Sequence, residues 1–216
     1  GYIIKRKFLS KINREKFLKT FVKILNKYSK LNISNLKNWE NKDLNKKLIN
    51  LRKKNPKKFS KIYDIIQKTV SIKKILIKGK LVNIASKILS ENEETICEIN
   101  TILRMDPPND VKNSLDWHQD GSLNKSKNNQ SCVLWCPMTK VDKNNGAVEL
   151  LIKSHKIKGV PKAKFKNFVI KKYQSFIPKL DAGDVLIINN KTIHKSGHNS
   201  SDKIRFTLRS RFNKLP

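Results

Sequence analysis

The chain has 216 residues, of which 38% are hydrophobic, and 48 Lys and Arg face 17 Asp and Glu for a formal charge of +31. That length supports one substantial core with room for a helical appendage, and no apolar run is long enough to span a bilayer. No signal peptide is read, so a cytoplasmic setting with reduced thiols is expected for Cys97, Cys132 and Cys136.

Residues 1–95 read as helical. Tyr2 to Leu9 alternates basic and apolar residues and is assigned to no element. Phe17, Phe21, Leu25 and Tyr28 recur at helical spacing behind Asn13, a candidate N-cap. Leu44, Leu48 and Leu51 form a second stripe that stops at Asn55-Pro56. A third runs through Ile62, Ile65, Ile66 and Val70, and a fourth through Leu81, Ile84, Ala85 and Ile88 after Gly79. The stripes are read as core contacts and the lysines between them as a solvated face.

The texture changes near residue 96. Five of the seven glycines, Gly121 to Gly197, fall beyond it, where turns are needed. Strands are expected at Ile96–Met105, Leu115–Asp120, Ser131–Met138, Gly146–Ile152, Val185–Ile188, Thr192–Ser196 and Ile204–Phe212. Gly121–Gln130 is polar and reads as a mobile loop beside the site. Many short strands separated by turns argue for a sandwich or barrel. The expected organisation is a basic, mainly helical region, 1–95, packed on a β core, 96–216.

Residues 1–95 carry 26 basic against 7 acidic residues and residues 96–216 carry 22 against 10, so the charge is spread along the chain rather than gathered in one tract. Lys, Asn and Ile are abundant together, which favours compositional bias over a dedicated polyanion site. No basic surface interleaved with aromatics is evident. No specific nucleic-acid partner is expected, while association with an anionic surface stays open.

The chemistry centres on Trp117-His118-Gln119-Asp120. His-x-Asp on an extended segment puts both side chains on one face. A histidine from a distant strand would complete a two-histidine, one-carboxylate triad, which leaves one face of an iron(II) open. His194 ranks above His198, which lies in a turn, and both rank above His155 in Ser154-His155-Lys156. Asp116-x-His118 offers the same spacing as His118-x-Asp120, so the spacing alone leaves the carboxylate open. Asn145-Gly146 is a hairpin signal, and Asp181-Ala182-Gly183-Asp184 is a tight turn feeding a buried strand. Downstream, alternation places Arg205, Thr207, Arg209 and Arg211 on one strand face. Most strand arginines face solvent, but an inward one needs an anion, and its planar fork suits a carboxylate.

Together these stretches resemble the phytanoyl-CoA dioxygenase family of Fe(II)/2-oxoglutarate oxygenases. The matching pieces are Trp117-His118-Gln119-Asp120-Gly121, Asn145 to Leu150 with Ser154-His155-Lys156 and Gly159, Ala182-Gly183-Asp184, and His194 to Asn199 with Arg205. They span roughly residues 96–212, and the basic first part has no counterpart among them. The resemblance implies a double-stranded β-helix of the jelly-roll, cupin-like kind. It implies Fe(II) on His118, Asp120 and His194, which selects Asp120 over Asp116, and 2-oxoglutarate on Arg205 and Ser196. Trp135 is expected to pack near the co-substrate, and Arg104 to meet an anionic part of co-substrate or substrate. The implied reaction takes O2 and hydroxylates a C–H bond of a small-molecule substrate, anionic or carrier-linked, releasing succinate and CO2. One departure stands out: Leu151-Ile152-Lys153-Ser154 replaces the Pro-Gly that many members carry before Ser-His. A cupin-type metalloenzyme without 2-oxoglutarate and a non-catalytic polyanion-binding module are the competing readings.

Overall fold

The computed structural model describes residues 1–34, 36–77, 79–120, 130–157 and 167–215, with the side chains of 75–77 and 167–169 left out of the description. Among the described residues, nine strands and six α-helices run in the order β1 (Tyr2–Lys5), α1 (Lys11–Ser29), α2 (Lys42–Lys54), α3 (Pro56–Lys68), α4 (Val70–Ile77), α5 (Lys80–Leu89), β2 (Ile96–Glu98), β3 (Ile102–Asp106), β4 (Ser131–Pro137), β5 (Glu149–Leu151), α6 (Asn167–Lys172), β6 (Ser175–Phe176), β7 (Val185–Asn189), β8 (His194–Lys195) and β9 (Arg205–Lys214). The strands form two antiparallel sheets. The major sheet has the order β1-β7-β4-β9-β2, with β3 also on β9, and the minor sheet has the order β6-β5-β8. The helices cover the outer face of the major sheet and the minor sheet covers its inner face, giving a jelly-roll core with a helical coat.

Alternation on the central strands explains the two apolar layers. On β4, Cys132, Leu134 and Cys136 face the helices, while Val133 and Trp135 face the minor sheet. On β9, Phe206, Leu208 and Phe212 join the helical layer, which leaves Arg205, Thr207, Arg209 and Arg211 on the inner face. Phe17, Phe21, Leu25, Leu44, Leu48, Ile62, Ile66, Leu81 and Ile84 all belong to the helical layer, as their spacing predicts. Trp39 ties that layer to the sheet: its ring centroid lies 5.3 Å from Phe17 and Phe21 and 5.0 Å from Phe206. Buried Asn45 accepts from the Ile204 N–H at 2.8 Å and so fixes the start of β9.

Several expected boundaries move. The N-cap of α1 is Ser10, whose side chain accepts from the Asn13 N–H, so Asn13 lies inside the first turn. Asn55 caps α3, with Pro56 in its first turn, and the third stripe divides at Thr69 into α3 and α4. The single strand expected at Ile96–Met105 is two, β2 and β3, pairing with opposite ends of β9. Ile96 shares the helical layer with Leu103 and Met105, so the alternation changes phase between them, and the chain must leave regular pairing to do so. Leu115–Asp120 is not a regular strand: it contributes one bridge, His118 opposite His194. Of the loop expected at Gly121–Gln130, residues 121–129 lie outside the described part, as does Gly159.

The unassigned start of the chain is strand β1, antiparallel to β7. The major sheet therefore includes residues on both sides of position 95. The Asp181–Asp184 turn anchors this segment. Asp184 accepts from Arg6 Nη1 at 2.6 Å and from the Lys7 N–H at 2.8 Å. Gly183 has φ +88°, and a Cβ there would stand 2.3 Å from the Leu9 carbonyl oxygen, so glycine is required by both conformation and space.

Candidate metal centre

His118, Asp120 and His194 converge, and one ligand atom from each lies within 4.8 Å of the others. The two histidines come from segments 76 positions apart, yet their backbones exchange a reciprocal pair of hydrogen bonds, His118 N to His194 O at 2.9 Å and His194 N to His118 O at 3.0 Å. The imidazole centroids are 4.3 Å apart. Asp120 places Oδ1 3.7 Å from His118 Nε2 and Oδ2 3.7 Å from His194 Nε2.

Each imidazole is oriented from behind. His118 Nδ1 lies 2.7 Å from the Asp116 carbonyl and His194 Nδ1 lies 2.9 Å from the Thr192 carbonyl. A carbonyl only accepts, so each Nδ1 carries the proton and each Nε2 presents a lone pair toward Asp120. Burial lowers the His194 pKa to about 4, with nearby His118 acting in the same direction and Asp120 opposing, so this imidazole is neutral at physiological pH. Two neutral imidazole nitrogens and one carboxylate are a donor set suited to iron(II) with open positions. Gln119 turns away and donates to the Lys191 carbonyl at 2.5 Å.

The Ser-His motif serves this centre indirectly. Buried Ser154 donates to the Leu151 carbonyl at 2.7 Å and accepts from the Ile193 N–H at 2.8 Å, which pins the chain just before His194. His155 and His198 lie outside the cluster, and exposed His198 contacts Asn109 at 3.0 Å.

A cavity of about 120 Å³ opens beside the cluster, lined by His118, Asp120, His194, Ser196, Trp135, Arg104, Arg205 and Arg209 among others. It brings together all seven residues named from the sequence for metal, co-substrate and substrate. Arg205 is 4% exposed and its Nη2 donates to Asp106 at 2.8 Å. Arg104 holds the same carboxylate through two bonds, at 2.7 and 3.1 Å, so Arg104 finds an anion inside the protein. Burial works against ionisation of Asp106, but Arg205 and Arg104 outweigh it and hold its carboxyl below the usual range.

One carboxylate does not saturate two guanidinium groups. The Nε of Arg205 is buried with no hydrogen-bond partner among the described residues. Its guanidinium lies 5.5 Å from the Trp135 ring centroid, and a Cβ on Gly146, at φ +87°, would stand 2.6 Å from its Nη1. Ser196 Oγ accepts from the Leu115 N–H at 3.0 Å, leaving its own proton to donate. An orphaned guanidinium donor lining the same cavity as a free hydroxyl proton is a fit for the far carboxylate of 2-oxoglutarate.

Sequence reading missed Asp106 and kept Arg209 only as a fallback to Arg205 for the co-substrate. A signal existed for the first: Arg104-x-Asp106 has strand spacing, so a carboxylate shares the face of an inward arginine.

A jelly roll that presents two histidines and an aspartate to an arginine-lined cavity is the architecture of a non-haem iron oxygenase. The phytanoyl-CoA dioxygenase (PhyH) family model matches residues 1–207, and the chain belongs to that family, whose members use iron(II) and 2-oxoglutarate. The match includes the basic N-terminal part, which the motif resemblance had left without a counterpart. No curated protein matches the chain by sequence. Among solved structures, AviO1 from Streptomyces viridochromogenes Tue57 superposes with a TM-score of 0.66 at 14% identity over 98% of this chain and 89% of its own. The epimerase SnoN from nogalamycin biosynthesis gives 0.67 at 12% identity over 100% of this chain and 81% of its own. EvdO2 from Micromonospora carbonacea var. aurantiaca, complexed with 2-oxoglutarate, gives 0.54 at 18% identity over 74% of this chain, which spans 66% of EvdO2, just under two-thirds of its length. At these identities the likeness shows the fold.

Proposed function

We propose that this chain hydroxylates a C–H bond of a small-molecule substrate in a 2-oxoglutarate-dependent reaction. When bound, iron(II) with 2-oxoglutarate and O2 supplies a two-electron oxidation, and 2-oxoglutarate leaves as succinate and CO2. The chain's own residues do the positioning. His118 and His194 present Nε2 lone pairs because backbone carbonyls hold their Nδ1 protons. Asp120, almost fully buried, supplies the negative charge of the set. Arg205 and Ser196 orient the co-substrate by its far carboxylate, and Trp135 packs against the arginine. Val133, Val148 and Ile188 give the cavity apolar wall that keeps bulk water away.

The observation that carries the proposal is the buried, unpartnered Nε of Arg205 in a wall of the same cavity as the His-Asp-His cluster. Two neighbours support it by what was solved with them: SnoN with Fe3+, alpha ketoglutarate and nogalamycin RO, and EvdO2 with 2-oxoglutarate. The test is iron loading followed by anaerobic addition of 2-oxoglutarate. His118→Ala, Asp120→Ala and His194→Ala are expected to lose iron, while His155→Ala loads normally and the loaded wild type develops a visible charge-transfer band. Wild-type iron content in Asp120→Ala would refute the triad. Iron loading without any 2-oxoglutarate response would leave a bare cupin-type metalloenzyme.

A further inference from the structure

The inner face of β9 carries more cationic capacity than the co-substrate needs. Arg205 and Arg104 share Asp106. Arg211 donates to the Asp120 carbonyl at 2.6 Å and does not line the cavity. Arg209 does line it, half-buried, opposite Trp135 in the strand register. It makes no hydrogen bond or ion pair among the described residues. Burial works against its charge, Asp120 supports it, and Arg104 and Arg211 oppose it.

Asp120 belongs to the candidate metal cluster, so its charge is committed when a cation binds there. The cavity then holds three guanidinium groups, from Arg104, Arg205 and Arg209, against the carboxylates of Asp106 and Asp120, and an imidazole that ligates a metal is neutral. A divalent metal and a dianionic co-substrate cancel each other. One positive charge is left over, and among the described residues lining the cavity Arg209 is the arginine without a hydrogen-bond or ion-pair partner. An unmatched cation in a partly desolvated wall is costly, and a planar guanidinium is best matched by a carboxylate.

We propose that Arg209 is the substrate-recognition residue and that the substrate bears a single carboxylate, held by Arg209 while its apolar body lies along Val133, Val148 and Ile188. This rests on the 2-oxoglutarate oxygenase reading above. A phosphate dianion would over-neutralise the one remaining charge, and an uncharged substrate would leave it unmatched.

The test uses isothermal titration of anaerobic, iron-loaded protein, with and without 2-oxoglutarate, against hexanoate and hexanamide. These probes share a chain and differ in charge. Wild type should prefer hexanoate by roughly 10- to 100-fold, the range of a hydrogen bond to a charged group. Arg209→Gln should bring the two probes to about equal affinity, Arg209→Lys should keep part of the preference, and both should titrate with 2-oxoglutarate much as wild type does. Equal binding of the probes by wild type overturns the proposal, as does a preference that survives Arg209→Gln. A fall in 2-oxoglutarate affinity in Arg209→Gln as large as that in Arg205→Ala also overturns it, by moving Arg209 into the co-substrate site. If wild type takes no 2-oxoglutarate, the oxygenase reading fails by itself, and the probe preference of the iron-only protein still reports on Arg209.

Discussion

Replacing Arg205 by alanine removes a 4%-exposed guanidinium whose Nη2 bonds Asp106 at 2.8 Å and whose Nε is unpartnered. Two consequences separate. For stability, Asp106 keeps Arg104 at 2.7 and 3.1 Å, so its charge is not abandoned. The loss is then nearer the 1.5–3 kcal/mol of one charge-assisted hydrogen bond, roughly, than the cost of an orphaned buried ion. For 2-oxoglutarate the loss is larger, because among the described residues lining this cavity no other guanidinium has a fully buried, unpartnered nitrogen. Removing one member of a buried charge pair costs about 3–5 kcal/mol. At about 1.4 kcal/mol per decade that is roughly two to three orders of magnitude in affinity. Iron loading should survive, since Arg205 is not one of the clustered ligands. Arg205→Lys should recover only part, because an ammonium has no planar fork. The assay is anaerobic titration of iron-loaded protein with 2-oxoglutarate, followed by the charge-transfer band. If Arg205→Ala titrates like wild type, the co-substrate site is misassigned and Arg104 or Arg209 takes its place.

Three further outcomes are expected. Gly146→Ala strains a residue at φ +87° and puts a methyl group against Arg205 Nη1, so it should destabilise the protein by about 1 kcal/mol or more and weaken 2-oxoglutarate binding, both readable from urea melts and the same titration. The pKa of Asp106 is depressed in the folded chain, so its contribution is present above the unfolded value, about 3.9, and fades as pH falls through the folded one. The stability gap between wild type and Asp106→Asn should therefore narrow below about pH 4, and a gap that widens with acid would contradict the ion-pair account. Duplex DNA should bind weakly near about 0.15 M salt and with steep salt dependence, as diffuse charge requires; tight, sequence-selective binding in a mobility-shift assay would revive the binding-module reading.

The sequence by itself determined what depends on residue type and local period. Helical stripes located the coat, because residues three and four apart share a helix face. Alternation in Arg205–Arg211 put three arginines on one strand face, because strand side chains alternate whatever the sheet, and only the fold turned that face inward. The family resemblance carried by His118, Asp120, His194 and Arg205 implied iron and 2-oxoglutarate chemistry before any contact was known. The tertiary structure decided what depends on residues far apart meeting. Tyr2–Lys5 carries too short a pattern to read as a strand alone and becomes one only against Val185–Ile188. His118 lies in a segment with no regular strand, and the backbone exchange with His194 is what brings it and Asp120 to that distant histidine. Asp106 is one acidic residue among 17 until folding places it between Arg104 and Arg205. Burial then makes that pairing matter, because a charge removed from water must find its counterion within the fold.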